Sequence, residues 1–185
     1  MTNLVFFLEE PSAKEMLKGL LPRLINPDDV LFRYVVFEGK SDLQKNIERK
    51  IRAWKQPDTR FVILHDQDSG DCRLIKQNLL SKCQGVQESK ILVRIACREL
   101  ESWYLGDLSA VEKGLEIKNI AKRQGKSKFR NPDNLNNASE ELEKLTSLGY
   151  QKVSGSRKIG KYLSLENNQS RSFQVFIEGV RRLLK

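Results

Sequence analysis

Four short β-rich runs, each followed by a stretch of helical periodicity, constrain this chain more than any other feature. The runs are Leu4–Leu8, Leu31–Phe37, Phe61–Leu64 and Ile91–Ala96. The first and third are apolar at every position, the mark of strands buried on both faces. After the first run, Ser12 and Glu15 have the spacing of a capping box. Met16, Leu17, Leu20, Leu21 and Leu24 then share one helical face, and Pro22 is expected to end or kink that helix. A second helix, capped by Ser41 and Asp42, carries Leu43, Ile47, Ile51 and Trp54. A third, after Gly70, carries Leu74, Ile75 and Leu79. Alternation of this kind specifies a four-stranded, mainly parallel sheet flanked by helices. Right-handed crossovers gather the strands' carboxyl ends on one edge, where open α/β sheets place their sites.

That edge is acidic. Glu9 and Glu10 follow the first strand, Asp66 and Asp68 the third, and Glu99 and Glu101 the fourth. In extended chain, residues i and i+2 point the same way, so Asp66 and Asp68 present their carboxylates to one side. Crowded carboxylates repel unless a cation or proton lies between them. A hard divalent ion is the simplest partner, since Mg²⁺ takes oxygen ligands and keeps several waters. Ordinary turn chemistry is the competing reading, with Asp71 capping the next helix. The second acidic cluster favours a site. Of Glu99 and Glu101, at most one is expected to face inward, and His65, at the end of a buried strand, reads as a core histidine.

At 185 residues the chain is read as a single domain overall, with an α/β core over 1–115 and a basic loop and helical extension over 116–185. Lys and Arg outnumber Asp and Glu 33 to 24, a surplus that favours polyanions. Much of it lies in Lys118, Lys122, Arg123, Lys126, Lys128 and Arg130, read as a mobile basic loop, and in a later segment with Lys152, Arg157, Lys158 and Lys161. A helix over about 138–148 is expected to bury Leu142, Leu145 and Leu148 and stop at Gly149. Ser172 is placed as the cap of a last helix. Three cysteines without a C-x-x-C pair, no secretory signal and no long apolar run point to a cytoplasmic chain without a membrane partner.

The segments Leu8-Glu9-Glu10-Pro11-Ser12, His65-Asp66-Gln67-Asp68, Arg98-Glu99-Leu100-Glu101-Ser102-Trp103-Tyr104-Leu105-Gly106-Asp107 and Ser170-Arg171-Ser172-Phe173 resemble a bacterial TOPRIM-like family, domain of unknown function forty-two seventy-six. Its fold is related to that of TOPRIM nucleases of the overcoming-lysogenization-defect type. The resemblance implies a Rossmannoid α/β fold, Mg²⁺ or Mn²⁺ as cofactor, DNA or RNA as substrate, an AAA or ABC-type ATPase partner and a part in anti-phage defence. It places Glu9, Asp66 and Asp68 at the metal and Glu101, with Asp71 and Glu99 nearby, as accessory acids. Many TOPRIM domains carry glycine directly after the first acid; here that residue is Glu10, and either Glu9 or Glu10 can be the site acid.

The expectation is therefore a metal-dependent nuclease or nuclease subunit with catalytic Glu9, Glu10, Asp66 and Asp68. The basic residues just named, Arg157 and Lys158 included, track the backbone. A catalytically idle partner of an ATPase is the alternative. The chain lacks a P-loop motif, so it is not itself such an ATPase. A phosphoacceptor switch is a weaker third reading, because the second Asp of the pair and the missing later strand count against it.

Overall fold

The structure, a computed structural model, describes residues 1–87 and 90–185. Among these, strands β1 (Thr2–Leu8), β2 (Val30–Val36), β3 (Thr59–Asp66) and β4 (Ile91–Ala96) form one sheet in the order β2-β1-β3-β4. All three pairings are parallel. Helices α1 (Pro11–Leu24), α2 (Lys40–Arg52) and α3 (Cys72–Ser81) make the crossovers. After β4 the chain continues as α4 (Glu101–Leu105), α5 (Leu108–Leu115), α6 (Ser127–Arg130), α7 (Ala138–Leu145), α8 (Lys152–Gly160) and α9 (Arg171–Leu183). No helix among the described residues is long and apolar enough to cross a membrane.

The alternation of the strands explains their unbroken apolar character. Leu4, Phe6, Leu8, Val62, Leu64 and Leu92 point to one face, into a large core with α1, α4, α5 and α9. Val5, Phe7, Phe61, Ile63 and Val93 point to the other, against Leu43, Ile47 and Ile51 of α2 and Leu79 of α3. Both faces being covered, each is lined mainly by apolar residues. The register sets Leu8 beside Leu64 and Asp66 beside Ala96, so β1, β3 and β4 deliver their following acids to one rim.

Several local expectations are corrected. Ser12 and Glu15 form no capping box: Glu10 is the N-cap, Pro11 opens the helix, and Glu15 binds Lys18 and Arg157 instead. Pro22 lies in the last turn of α1, which ends close by at Leu24, as expected, with Ile25 N–H donating to Leu21 O (2.9 Å). A proline so near a helix end removes one hydrogen bond from a turn whose packing is already fixed. Gly39, at φ +89°, is the N-cap of α2, while Asp42 reaches back to accept from Glu38 N–H (3.0 Å). Leu74 is 59% and Leu148 71% exposed, so neither joins the core. Helix α7 stops at Leu145, because Ser147 and Leu148 take positive φ before Gly149. Ser170, not Ser172, caps α9, accepting from Phe173 N–H (3.2 Å).

The basic stretch is likewise not a loose loop. Phe129 is buried near its carboxyl end. Gln124 donates to the carbonyls of Leu105 (3.0 Å) and Phe129 (2.9 Å) and accepts from Leu108 N–H (2.7 Å). The Glu112 carboxylate accepts from Ile120 N–H (2.7 Å) and Ala121 N–H (2.9 Å). An apolar anchor and two buried-side polar anchors hold the stretch against α4 and α5 despite its charge.

Candidate functional site

Glu9 and Asp66 stand side by side at the carboxyl ends of the two central strands. Glu9 Oε2 accepts from the Asp66 main-chain N–H at 3.2 Å. Together with Glu10, Ser12, Ala13, Leu64 and Leu100 they line a hollow of about 10 Å³, roughly the volume needed for one water-sized body. Burial raises the Glu9 pKa, opposed by His65 and the Asp66 amide and assisted by Asp68 and Glu10. Asp66 is pushed well above the usual carboxylate range, first by burial and then by the charges of Glu9, Glu101 and Glu10. Neither carboxylate has a lysine or arginine within ion-pair distance among the described residues. The nearest base to Glu9 is His65 Nδ1 at 3.6 Å. That histidine is buried, with Nδ1 2.5 Å from Asp66 O and Nε2 3.1 Å from Gln44 Nε2. These two contacts fix the ring in place between Gln44 and the Asp66 carbonyl.

The other two acids are paired. Lys40, from the start of α2, holds Asp68 Oδ2 at 2.7 Å. Lys152, from the start of α8, contacts both oxygens of Glu10 at 2.9 and 2.7 Å. The Lys152 pKa is raised: burial opposes the charge, but the Glu10 hydrogen bond and the fields of Glu101, Glu10 and Asp66 prevail. The rim thus divides into an unpaired half, Glu9 and Asp66, and a lysine-clamped half, Glu10 and Asp68. Neither lysine was marked out as a rim residue by sequence, since each joins the site only through tertiary folding.

Glu101 is the inward acid of its pair, 1% exposed. Tyr150 donates to its Oε1 at 2.8 Å, and Tyr104 donates to Ser156 Oγ at 2.8 Å beside the Tyr150 hydroxyl. Burial raises the Glu101 pKa, against the lowering effects of Tyr150 and Lys152. These hydroxyls join α4 to α8 behind the rim. Tyr104 and Tyr150 are polar members of that network.

Asp71 caps α3, accepting from Arg73 N–H (2.7 Å) and Leu74 N–H (3.1 Å), the competing role the sequence allowed. Glu99 accepts from Ser139 N–H (2.8 Å) at the start of α7. With Asp68, Ser69, Arg98 and Asn136 it lines a cleft of about 510 Å³ beside the rim. Asp68 and Arg98 are both left-handed, at φ +52° and +64°, and Asp68 N–H donates to Arg98 O at 2.7 Å. Two strained non-glycine residues holding each other at a strand edge are a feature of functional loops. A larger cleft, about 700 Å³, opens at the opposite edge near Trp54, Thr59 and Val86, with Asp58 its one acid among the described residues. It carries no comparable chemistry.

Lys118, Lys122, Arg123, Lys126, Lys128, Arg130, Arg157 and Lys158 are all exposed. Two have acidic partners: Lys128 with Glu141 and Arg157 with Glu15, each at 2.5 Å. Among the described residues no three His, Cys, Asp or Glu side chains converge as a ready metal cage. Glu9, Asp66 and Asp68 therefore do not form one as they stand: β3 ends at Asp66, and Asp68, left-handed rather than extended, is paired with Lys40. Two half-buried carboxylates beside a water-sized hollow nonetheless suit Mg²⁺, which binds through one or two carboxylates and retains water.

The model of the family described as "Domain of unknown function (DUF4276)" matches residues 8–181. The chain belongs to this family. The match takes in the whole rim, from Glu9 to Lys152, and most of the C-terminal helix α9. No curated protein matches the chain. Among solved structures, the C-terminal region of the Burkholderia pseudomallei OLD protein superposes with a TM-score of 0.58 at 17% identity, covering 98% of each chain. That likeness is one of fold, and the TOPRIM-like α/β architecture expected from the motifs is the architecture present.

Proposed function

We propose that this family member is a divalent-metal-dependent nuclease, or the nuclease subunit of a larger complex, that hydrolyses phosphodiester bonds. The observation that carries the reading is the Glu9–Asp66 pair: two half-buried carboxylates without a lysine or arginine partner, at the ends of adjacent strands, whose pKa values are both raised. Such a pair is stabilised by a cation. Glu9 and Asp66 would hold Mg²⁺ or Mn²⁺, with Asp68 joining them once Lys40 releases it. The ion would neutralise charge on the scissile phosphate and lower the pKa of a water it binds.

The chain's own groups supply the rest. Lys152 and Lys40 are within reach of the rim, and each can exchange its carboxylate for a phosphate oxygen. Glu10, freed of Lys152, becomes a proton acceptor at the same edge. Glu101 and its tyrosines hold α8, and therefore Lys152, against α4. The exposed basic residues of 118–130 and Lys158 contact the nucleic-acid backbone, a binding that weakens with salt. The family resemblance supports an ATPase partner and a place in anti-phage defence.

A second reading has its own observation. Lys40 on Asp68 and Lys152 on Glu10 neutralise half of the acidic rim, as befits an idle, partner-binding subunit. The two readings separate in one experiment. Purified protein is incubated with DNA and RNA in Mg²⁺ or Mn²⁺, beside Glu9→Gln and Asp66→Asn, with divalent-ion binding measured by calorimetry. Cleavage by the parent that falls at least about 100-fold in both variants, with loss of ion binding, supports the nuclease. Absence of both ion binding and cleavage in the parent, alone and with an ATPase partner, supports the idle subunit.

A further inference from the structure

The basic stretch and α7 enclose a cavity of about 170 Å³ lined by Arg123, Lys126, Lys128, Phe129, Glu141, Lys144 and Leu145. Four cations face one carboxylate. Glu141 is engaged with Lys128 Nζ, which also lies 5.0 Å from the centre of the Phe129 ring. Lys144 is 3.8 Å from Glu140 on the open surface, and Arg123 and Lys126 have no acidic partner among the described residues. The cations stand on a folded support, since Phe129 is buried and Gln124 ties the segment to Leu105 and Leu108. Cations already held in place lose little freedom on capturing an anion.

Helix α7 fixes where this cavity lies. Its first turn is held by Glu99, which lines the cleft shared with Asp68 and Arg98. Lys144 follows Ser139 by five residues on the same helix, about 7.5 Å farther along the axis.

We propose that this cavity is a phosphate-binding subsite for a nucleic-acid strand, seating a backbone phosphate away from the one at the acidic rim. The inference rests on the nucleic-acid reading of the rim and adds to it a fixed second foothold, with Lys144 as a contact outside the basic stretch. Bound there, the strand is aligned before the scissile bond meets Glu9 and Asp66, and substrates too short to span both sites lose that alignment.

The test is binding without cutting. Fluorescence anisotropy in chelator, free of divalent ions, follows labelled single strands of two to twelve nucleotides across a salt series. The full chain is compared with an Arg123→Ala, Lys126→Ala variant and with a control, Lys50→Ala, Lys55→Ala, changed on the far side of the sheet. The expected result is a step in affinity once the strand is long enough to reach both the rim and the cavity. The Arg123/Lys126 variant should lose that step and bind longer strands at least tenfold more weakly, with the log–log salt slope reduced by about 0.7 to 1. Equal weakening in the control would show diffuse charge only and overturn the subsite. So would unchanged binding in the Arg123/Lys126 variant. Competition by inorganic phosphate at the same concentration as an eight-nucleotide strand would assign the cavity to a free anion and overturn the strand reading. Because no metal or cleavage enters, a parent that binds with the expected step yet never cuts would defeat the nuclease reading and leave the subsite standing.

Discussion

At the residue scale, the rim acids are arranged at the expense of stability. Asp66 is held among Glu9, Glu101 and Glu10 with its pKa well above normal, so its charged form is disfavoured in the fold. Asp66→Asn keeps the shape and removes the repulsion; it should raise stability by about 1 kcal/mol, or about 2–4 °C in Tm, while abolishing cleavage. Thermal unfolding in chelator measures the first effect and a cleavage assay the second. Glu101 provides a pH test. Its folded pKa lies above its ordinary value because of burial, so it binds its proton more tightly folded than unfolded. Its stabilising contribution is complete below the unfolded pKa and is lost as pH rises through the folded one. Glu101→Gln, which cannot ionise, should therefore gain on the parent as pH increases from 4 to 8 in urea titrations. A gain toward low pH instead would mean that Tyr150 and Lys152 outweigh burial.

At the scale of elements, the site depends on two helices meeting more closely than side chains permit. A Cβ added to Gly160 of α8 would lie 2.4 Å from Met16 O of α1, and one added to Gly19 of α1 would lie 2.7 Å from Lys161 N. These are backbone atoms, which cannot step aside as a flexible side chain can. Gly160→Ala should separate α1 from α8 and cost about 2–3 kcal/mol, read from the urea midpoint. Because α8 carries Lys152 and Ser156, the same change should loosen Lys152 from Glu10 and lower any cleavage rate more than it lowers strand binding. Tyr150→Phe isolates the polar link across this junction. Removing the hydroxyl that donates to buried Glu101 should destabilise by about 1–3 kcal/mol, with the loss smaller near pH 4, where the carboxyl is protonated.

For the whole molecule, the segments beyond β4 close one face of the sheet. Phe173 and Phe176 of α9 pack on Trp103 at ring separations of 5.3 and 5.0 Å. Trp103 Nε1 donates to Ser172 Oγ at 2.8 Å. Arg94 of β4 donates through Nε to Val175 O (3.2 Å), and Arg60 of β3 donates to Leu183 O. A chain built this way should unfold as one cooperative unit, with tryptophan fluorescence and far-ultraviolet circular dichroism superimposing in urea. Residues 1–115 alone should fail to fold, since the face of β1, β3 and β4 that holds Phe6, Val62 and Leu92 would lie partly open. Two separated transitions would instead make the C-terminal region an independent domain.

The strand runs, their parallel order and the acidic edge were legible from residue pattern, because burial on two faces leaves a period-independent apolar signature and crossover handedness does the rest. Asp71 as a cap was legible as one of two roles. Lys40 and Lys152 on the rim, the tyrosines around Glu101 and the glycine-mediated contact of α1 with α8 were decided by tertiary structure alone. Each depends on distances between segments far apart in the chain, up to the 142 positions between Glu10 and Lys152. No local periodicity encodes such distances. Local signals also misplaced Ser12, Leu74 and Ser172, where cap chemistry and side-chain direction were overruled by packing. Which carboxylates keep their charge unpaired is likewise a property of the folded surface, set by where two lysines from remote helices come to rest.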